Sequence, residues 1–305
     1  MNNNVLNWKK LDPEAKWGFN APRYTAVSNW FSLIAGAAFT IVFYAVLYPL
    51  HLTGKYQMVN MFFHGGPENR SSIPYFTVLL GFWCLAFLII KWQKIKVQSK
   101  ALELELIPDS KEYVISPMNA QEIIFDINKN VHRGCDFLVF NRIINALENL
   151  RNIGRVADVS SLLKDLAEND AKASESTYTL PQGLIWAIPV LGFIGTVLGL
   201  SEAVGGFGAV VAGGADLDAL KGALGGVTGG LATAFETTLI ALIIALVIQL
   251  LMTLILQKEE EFLESCSKYC YKNLTSHLKM LDVSEAAEDF AEHASGFVAK
   301  QSMEK

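Results

Sequence analysis

Glu236 stands in a run of small and apolar residues, and no lysine or arginine occurs between Gly222 and Leu256 to pair with it. It is followed directly by Thr237 and Thr238, and Thr233 precedes it by three positions. A carboxylate at membrane depth costs several kcal/mol on insertion scales, and such groups ordinarily face a bundle interior or water and mark ion pathways. A second run holds Thr196 among Pro189, Gly192, Gly195 and Gly199. Pro189, Gly192, Thr196 and Gly199 recur at helical spacing and share one face, with Gly195 beside it. The Thr196 hydroxyl can exchange hydrogen bonds with water or an ion in a narrow path. Gly222, Gly226, Gly229, Gly230, Thr233 and Thr237 make a second small-residue face, next to Glu236. Two alternatives stand beside ion conduction. The glycine faces serve only to pack helices, because helix association in lipid rests on close backbone approach. Glu236, in turn, is protonated and hydrogen-bonds a neighbouring helix.

These residues need membrane-spanning elements to carry them. Of 305 residues, 51% are hydrophobic and only 18% charged, against about 25% charged in ordinary soluble domains. Four apolar blocks, 27–50, 73–92, 182–206 and 218–256, are long enough for a hydrocarbon core that takes about 20 helical residues. The last exceeds one crossing, so part of it projects beyond the membrane. The first follows a polar segment and is longer than a signal-peptide core, without a convincing small-residue cleavage site, so it reads as a retained span.

Lys9, Lys10, Lys16 and Arg23 precede the first block, Lys91, Lys94, Lys96 and Lys100 close the second, and Lys258, Lys268, Lys272 and Lys279 follow the fourth. The 51–72 connection has only Lys55 and Arg70, and 207–217 has no basic residue. The positive-inside rule then places both termini and the 93–181 segment in the cytoplasm. The net charge of −5 gives no sign of nucleic-acid binding.

The chain divides into a cytoplasmic lead (1–26), a spanning hairpin (27–92, outer loop 51–72), a cytoplasmic helical segment (93–181), a second spanning part (182–257) and a cytoplasmic helix and tail (258–305). In the lead, Asp12-Pro13 marks a helix start, and Trp8 and Trp17 suit interfacial anchors. Breaks are expected near Pro108 and Pro117. Ile123, Ile127, Phe137, Phe140, Ile144, Leu147 and Leu150, then Leu162, Leu163 and Leu166, recur at helical spacing and predict amphipathic helices. Glu168–Thr177 is polar and reads as a linker. The pattern after 257 is helical to about 282, then acidic and loosely ordered. The expected fold class is an all-α membrane protein, with four transmembrane helices, a helical cytoplasmic segment and long helices extending into the cytoplasm. Cys84, Cys135, Cys266 and Cys270 suggest no disulfide in a reducing compartment, and no metal cluster accompanies Cys266 and Cys270.

The two threonine runs resemble the MotA/TolQ/ExbB proton channel family. Gly192-Phe193-Ile194-Gly195-Thr196-Val197-Leu198-Gly199-Leu200 is similar to the family's third-span signature. Ala234-Phe235-Glu236-Thr237-Thr238-Leu239-Ile240-Ala241-Leu242 is similar to its last-span signature. The resemblance covers residues 180–257. It implies that Thr196 and Thr238 line an ion path, with Pro189 near its cytoplasmic part. The glutamate that ExbB-like members carry five positions before the last-span threonine falls here on Thr233, whereas this chain has Glu236. The Thr237-Thr238 pair resembles sodium-using stator subunits. The four-span layout is similar to MotA, and the third-span motif is closer to TolQ/ExbB and to stator-like subunits of phage-defence systems.

The resemblance implies a pentamer around two copies of a single-span MotB/TolR/ExbD-like partner carrying a membrane aspartate. Gly192, Gly195, Gly199, Gly226, Gly229 and Gly230 would pack helices in that assembly, and Thr196, Thr233, Glu236, Thr237, Thr238 and Pro189 would form the ion path. The expected function is the pore-forming subunit of a bacterial inner-membrane motor driven by protons or sodium, with no cofactor and no bound metal. A stand-alone ion channel and a passive membrane scaffold are the alternatives. Nothing resembling a phosphate loop, catalytic triad or metal cluster suggests an enzyme.

Overall fold

The structure is a computed structural model that describes residues 6–19, 24–54, 59, 61–63, 72–104, 115, 119–132, 134–153, 156–214 and 217–278. Its elements are helical almost throughout. Two short helices, α1 (Trp8–Leu11) and α2 (Pro13–Lys16), precede α3 (Asn29–Leu52) and α4 (Ile73–Ser99). Then follow α5 (Ala120–Asn130), α6 (Leu138–Ile153), α7 (Val156–Thr177), α8 (Thr179–Ala212) and α9 (Leu217–Asn273). The extended pieces are one two-residue parallel pair, Leu6–Asn7 with Val131–His132, and an isolated bridge between Ile115 and Leu278. Four helical stretches are long and apolar enough to cross a membrane: Asn29–Leu52, Ile73–Glu103, Val159–Ala212 and Leu217–His277. The all-α membrane fold is therefore as expected.

The chain forms two compact units. One comprises Met1–Asn7, Ala101–Asn169 and Glu264–Lys305. Its core joins α5 and α6, where Ile123, Ile127, Phe137, Phe140, Ile144, Leu147 and Leu150 are all buried. These are the positions that the helical spacing singles out. Leu162, Leu163 and Leu166 on α7 are only half-buried. The end of α9 adds Cys266, Cys270 and Leu274 to the buried set. Arg142 donates to Ser267 Oγ at 3.1 Å, and the Tyr269 hydroxyl donates to Leu104 O at 2.6 Å. The breaks predicted at Pro108 and Pro117, and the acidic tail after 282, lie outside the described residues.

The other unit comprises Trp8–Lys100 and Asp170–Leu263. Here α3 packs along α4, and α4 against α8. Close approach of α3 and α4 requires Gly36, where an added Cβ would overlap the Trp83 backbone. Trp83 Nε1 donates to Ser32 Oγ at 3.1 Å, and the rings of Phe43 and Phe82 lie 5.2 Å apart. A continuous apolar cluster runs through Cys84, Phe87, Leu88, Ile188, Ala241, Ala245, Ile248 and Met252. The outward faces of all four spans carry large exposed apolar side chains, among them Ile41, Phe76, Phe193, Val197, Leu242 and Leu246. A water-exposed surface of that kind would be costly, and a lipid environment removes the cost.

Two local expectations are corrected. Glu168–Thr177 is not a linker but the second half of α7. The stretch is polar, yet its Glu, Ala and Lys are good helix formers and it holds neither glycine nor proline. Trp8 is no interfacial anchor, since its side chain is buried in the protein, whereas Trp17 is 77% exposed. Lys91 and Lys94, at the end of the second span, are fully buried in ion pairs. Asp12-Pro13 does start a helix, with Asp12 Oδ1 accepting the Glu14 N–H at 3.3 Å.

A candidate ion-path site between two glycine-faced helices

Helices α8 and α9 meet as an antiparallel pair joined by a tight turn through Gly213 and Gly214, the latter with a φ of +67° that suits glycine. Their contact is a ladder of small residues. An added Cβ at Gly192 would come within 2.6 Å of Ala241 Cβ and 3.2 Å of Thr238 Cα. One at Gly195 would meet Thr237 Cγ2 at 2.7 Å, and one at Gly199 would meet Ala234 Cβ at 3.3 Å. One at Gly230 would meet Ala203 Cβ at 2.6 Å. The contacts climb α8 as they descend α9, and at Gly192, Gly195 and Gly230 a larger side chain would overlap its neighbour.

Thr196 and Thr238 face each other inside this ladder, and their hydroxyls are hydrogen-bonded. Thr196 Oγ1 also lies 3.2 Å from Gly192 O and 3.3 Å from Ala234 O. Thr238 Oγ1 lies 3.0 Å from Gly192 O and 3.3 Å from Ala234 O. The two hydroxyls own two protons, but each other and two carbonyls are within their reach. The pair can thus reverse its donor direction by rotating hydroxyls, without moving a helix. These four oxygens can accept hydrogen bonds from water or contact a hard cation, which takes oxygen ligands. Both threonines are only partly buried. Thr237, by contrast, is buried against Gly195 and returns its hydroxyl to Thr233 O at 2.9 Å, so it acts as a rung.

The six glycines singled out by sequence divide between two faces. Gly192, Gly195, Gly199 and Gly230 are consumed by the α8–α9 contact. Gly226 and Gly229 are not: an added Cβ there, or at Gly222 or Gly225, meets nothing within 4 Å. At 100° per residue, Gly222, Gly225, Gly226, Gly229, Thr233 and Glu236 share a second strip of α9, adjoining the strip that contacts α8. Thr233 and Glu236 are half-exposed. Pro189 is also half-exposed and lies within α8, one helical turn before the Gly192 rung. Missing from the sequence reading is a buried group of charges formed by Asp12, Glu14, Lys91, Lys94 and Glu259. The only signal for it was the three-residue spacing of Lys91 and Lys94 where an apolar run ends. Among the described residues no group of His, Cys, Asp and Glu is arranged to hold a metal ion.

Four helices long and apolar enough to cross a membrane, two of them joined by a pair of threonine hydroxyls, define an integral membrane protein. Residues 143–267 match the model of the MotA/TolQ/ExbB proton channel family. The match includes both motif-bearing helices and reaches back into α6, beyond the stretch on which the sequence resemblance rests. No curated protein and no solved structure matched the chain.

Proposed function

We propose that this chain is the pore-forming subunit of an ion-driven motor in a bacterial inner membrane. It assembles as a pentamer around a single-span MotB/TolR/ExbD-like partner and converts proton- or sodium-motive force into mechanical work. The observation that carries the reading is the Thr196–Thr238 hydroxyl pair, set between glycine-packed helices within the matched stretch. Thr196, Thr238, Thr233, Glu236 and Pro189 form the path, and Thr237 supports it from the rung beside Gly195. The open strip of α9, with Gly226, Gly229 and Glu236, fits a neighbouring helix, because glycines admit a foreign backbone and the threonine and glutamate give it polar partners. A partner helix carrying a carboxylate would bring the ion-binding charge that the hydroxyl pair lacks. The lysine distribution supports both termini and the 93–181 segment on the cytoplasmic side.

Native mass spectrometry of the detergent-purified chain is the test of assembly. Five copies are expected, with two copies of the single-span protein retained on co-expression. A monomer that captures no such partner would overturn the motor reading and leave a stand-alone channel or a scaffold.

A further inference from the structure

Five charged side chains from three parts of the chain are buried together within the unit that holds the four membrane-length helices. Asp12, Glu14, Lys91 and Lys94 have no exposed surface and Glu259 is 1% exposed. Lys91 Nζ lies 3.0 Å from Glu259 Oε2, donates to Thr177 Oγ1 at 2.6 Å, and sits 4.5 Å from the centre of the Tyr178 ring. Glu259 accepts the Tyr178 hydroxyl at 2.7 Å and the Thr25 hydroxyl. Lys94 Nζ lies 2.6 Å from Glu14 Oε2 and donates to Ala26 O at 2.6 Å. The other oxygen of Glu14 accepts the Ser28 N–H at 2.8 Å. Glu14 and Ala26 are thereby tied to α4, and Thr25 to α9.

Asp12 is the odd member. Two ammonium groups face three carboxyls, and Lys94 is already committed to Glu14 and Ala26. Asp12 Oδ1 stands 3.8 Å from Lys94 Nζ, and its Oδ2 is buried with no hydrogen-bond partner. A buried carboxylate without a counter-ion of its own is disfavoured. We propose that Asp12 is the release point of a latch: while its carboxyl carries a proton, the two ion pairs balance and residues 8–19 and 24–28 stay docked, and its ionisation loosens them.

Burial pushes the Asp12 carboxyl above its ordinary range, and the attraction of Lys94 offsets this only in part. The charged groups around it are Glu14 from its own segment, Lys94 from α4 with Lys91 one turn away, and Glu259 from α9 beyond Lys91. Because the docked segment binds the proton more tightly than the free one, docking is strongest at low pH. It weakens as pH rises through the elevated value.

Amide hydrogen exchange on the full chain in lipid nanodiscs, corrected for the intrinsic pH dependence of exchange, reads the docking directly. Protection of residues 8–19 and 24–28 is expected to fall by about tenfold or more from a pH below the ordinary carboxyl range to mildly alkaline pH. In Asp12→Asn, which keeps the oxygen that caps Glu14, protection should stay high throughout. Wild-type protection that does not change with pH, or an Asp12→Asn profile that follows the wild type, would overturn the latch.

Discussion

Alanine at Gly192 or Gly195 is expected to destabilise the protein by about 1–3 kcal/mol, whereas alanine at Gly226 or Gly229 should leave the isolated subunit as stable or slightly more so. At Gly192 the new methyl meets Ala241 Cβ at 2.6 Å, and at Gly195 it meets Thr237 Cγ2 at 2.7 Å. Neither neighbour can yield, because one is the first carbon off a helix backbone and the other belongs to a buried side chain held by its own hydrogen bond. The helices must separate, with the cost usual for overpacking, and the threonine pair separates with them. At Gly226 and Gly229 nothing lies within 4 Å of the new methyl, so only the higher helix propensity of alanine remains, up to about 1 kcal/mol in its favour. Unfolding of the detergent-solubilised monomer in mixed micelles measures both. The second pair should lose stability only in the assembled complex, where that strip is covered. Equal losses at all four positions in the monomer would contradict the assignment of two faces.

Replacing Thr196 and Thr238 together by valine is expected to reduce ion-driven activity to the background while the protein still folds. Valine keeps the branched shape, so the ladder stays filled, and the lost hydroxyls leave Gly192 O and Ala234 O with only their helical partners. Either single valine already removes the hydroxyl-to-hydroxyl bond. The two single changes should therefore each cost most of the activity and combine far less than additively, with a coupling on the order of 0.5–3 kcal/mol for groups in contact. Serine at either position keeps the hydroxyl and should keep much of the activity. Thr237→Val separates the roles: its effect should be felt in stability and assembly, since its hydroxyl is directed to Thr233 O. A double-mutant cycle on flux with matched thermal unfolding curves measures all of these. Strict additivity of Thr196→Val and Thr238→Val would show that the hydroxyls do not act as one site.

The helices themselves were legible from local pattern. Apolar blocks of span length gave four membrane helices, and the recurrence from Ile123 to Leu150 gave the buried face of α5 and α6. Helix periodicity was also enough to put Gly192, Thr196 and Gly199 on one side of α8. What periodicity could not supply was which neighbour each face meets. Gly226, Gly229 and Gly230 lie close together in sequence and read as one strip, but Gly230 alone of the three meets α8, because adjoining strips of a helix differ by tens of degrees and the pairing partner is remote in sequence. The same limit hid the buried charges. Lys91 and Lys94 look like ordinary basic residues at a membrane boundary until Glu14 and Glu259, far away in the chain, are brought against them. Polarity misled once more at Glu168–Thr177, where charged and hydroxyl side chains mark the solvated surface of a helix and not its end.

Ion flux into liposomes carrying the purified subunit, with and without its single-span partner, is the most direct measurement of the central claim. Flux is predicted only when the partner is present, and it should disappear in the Thr196→Val, Thr238→Val form of the same complex. Full flux from the subunit alone, or undiminished flux from the double valine complex, would contradict it.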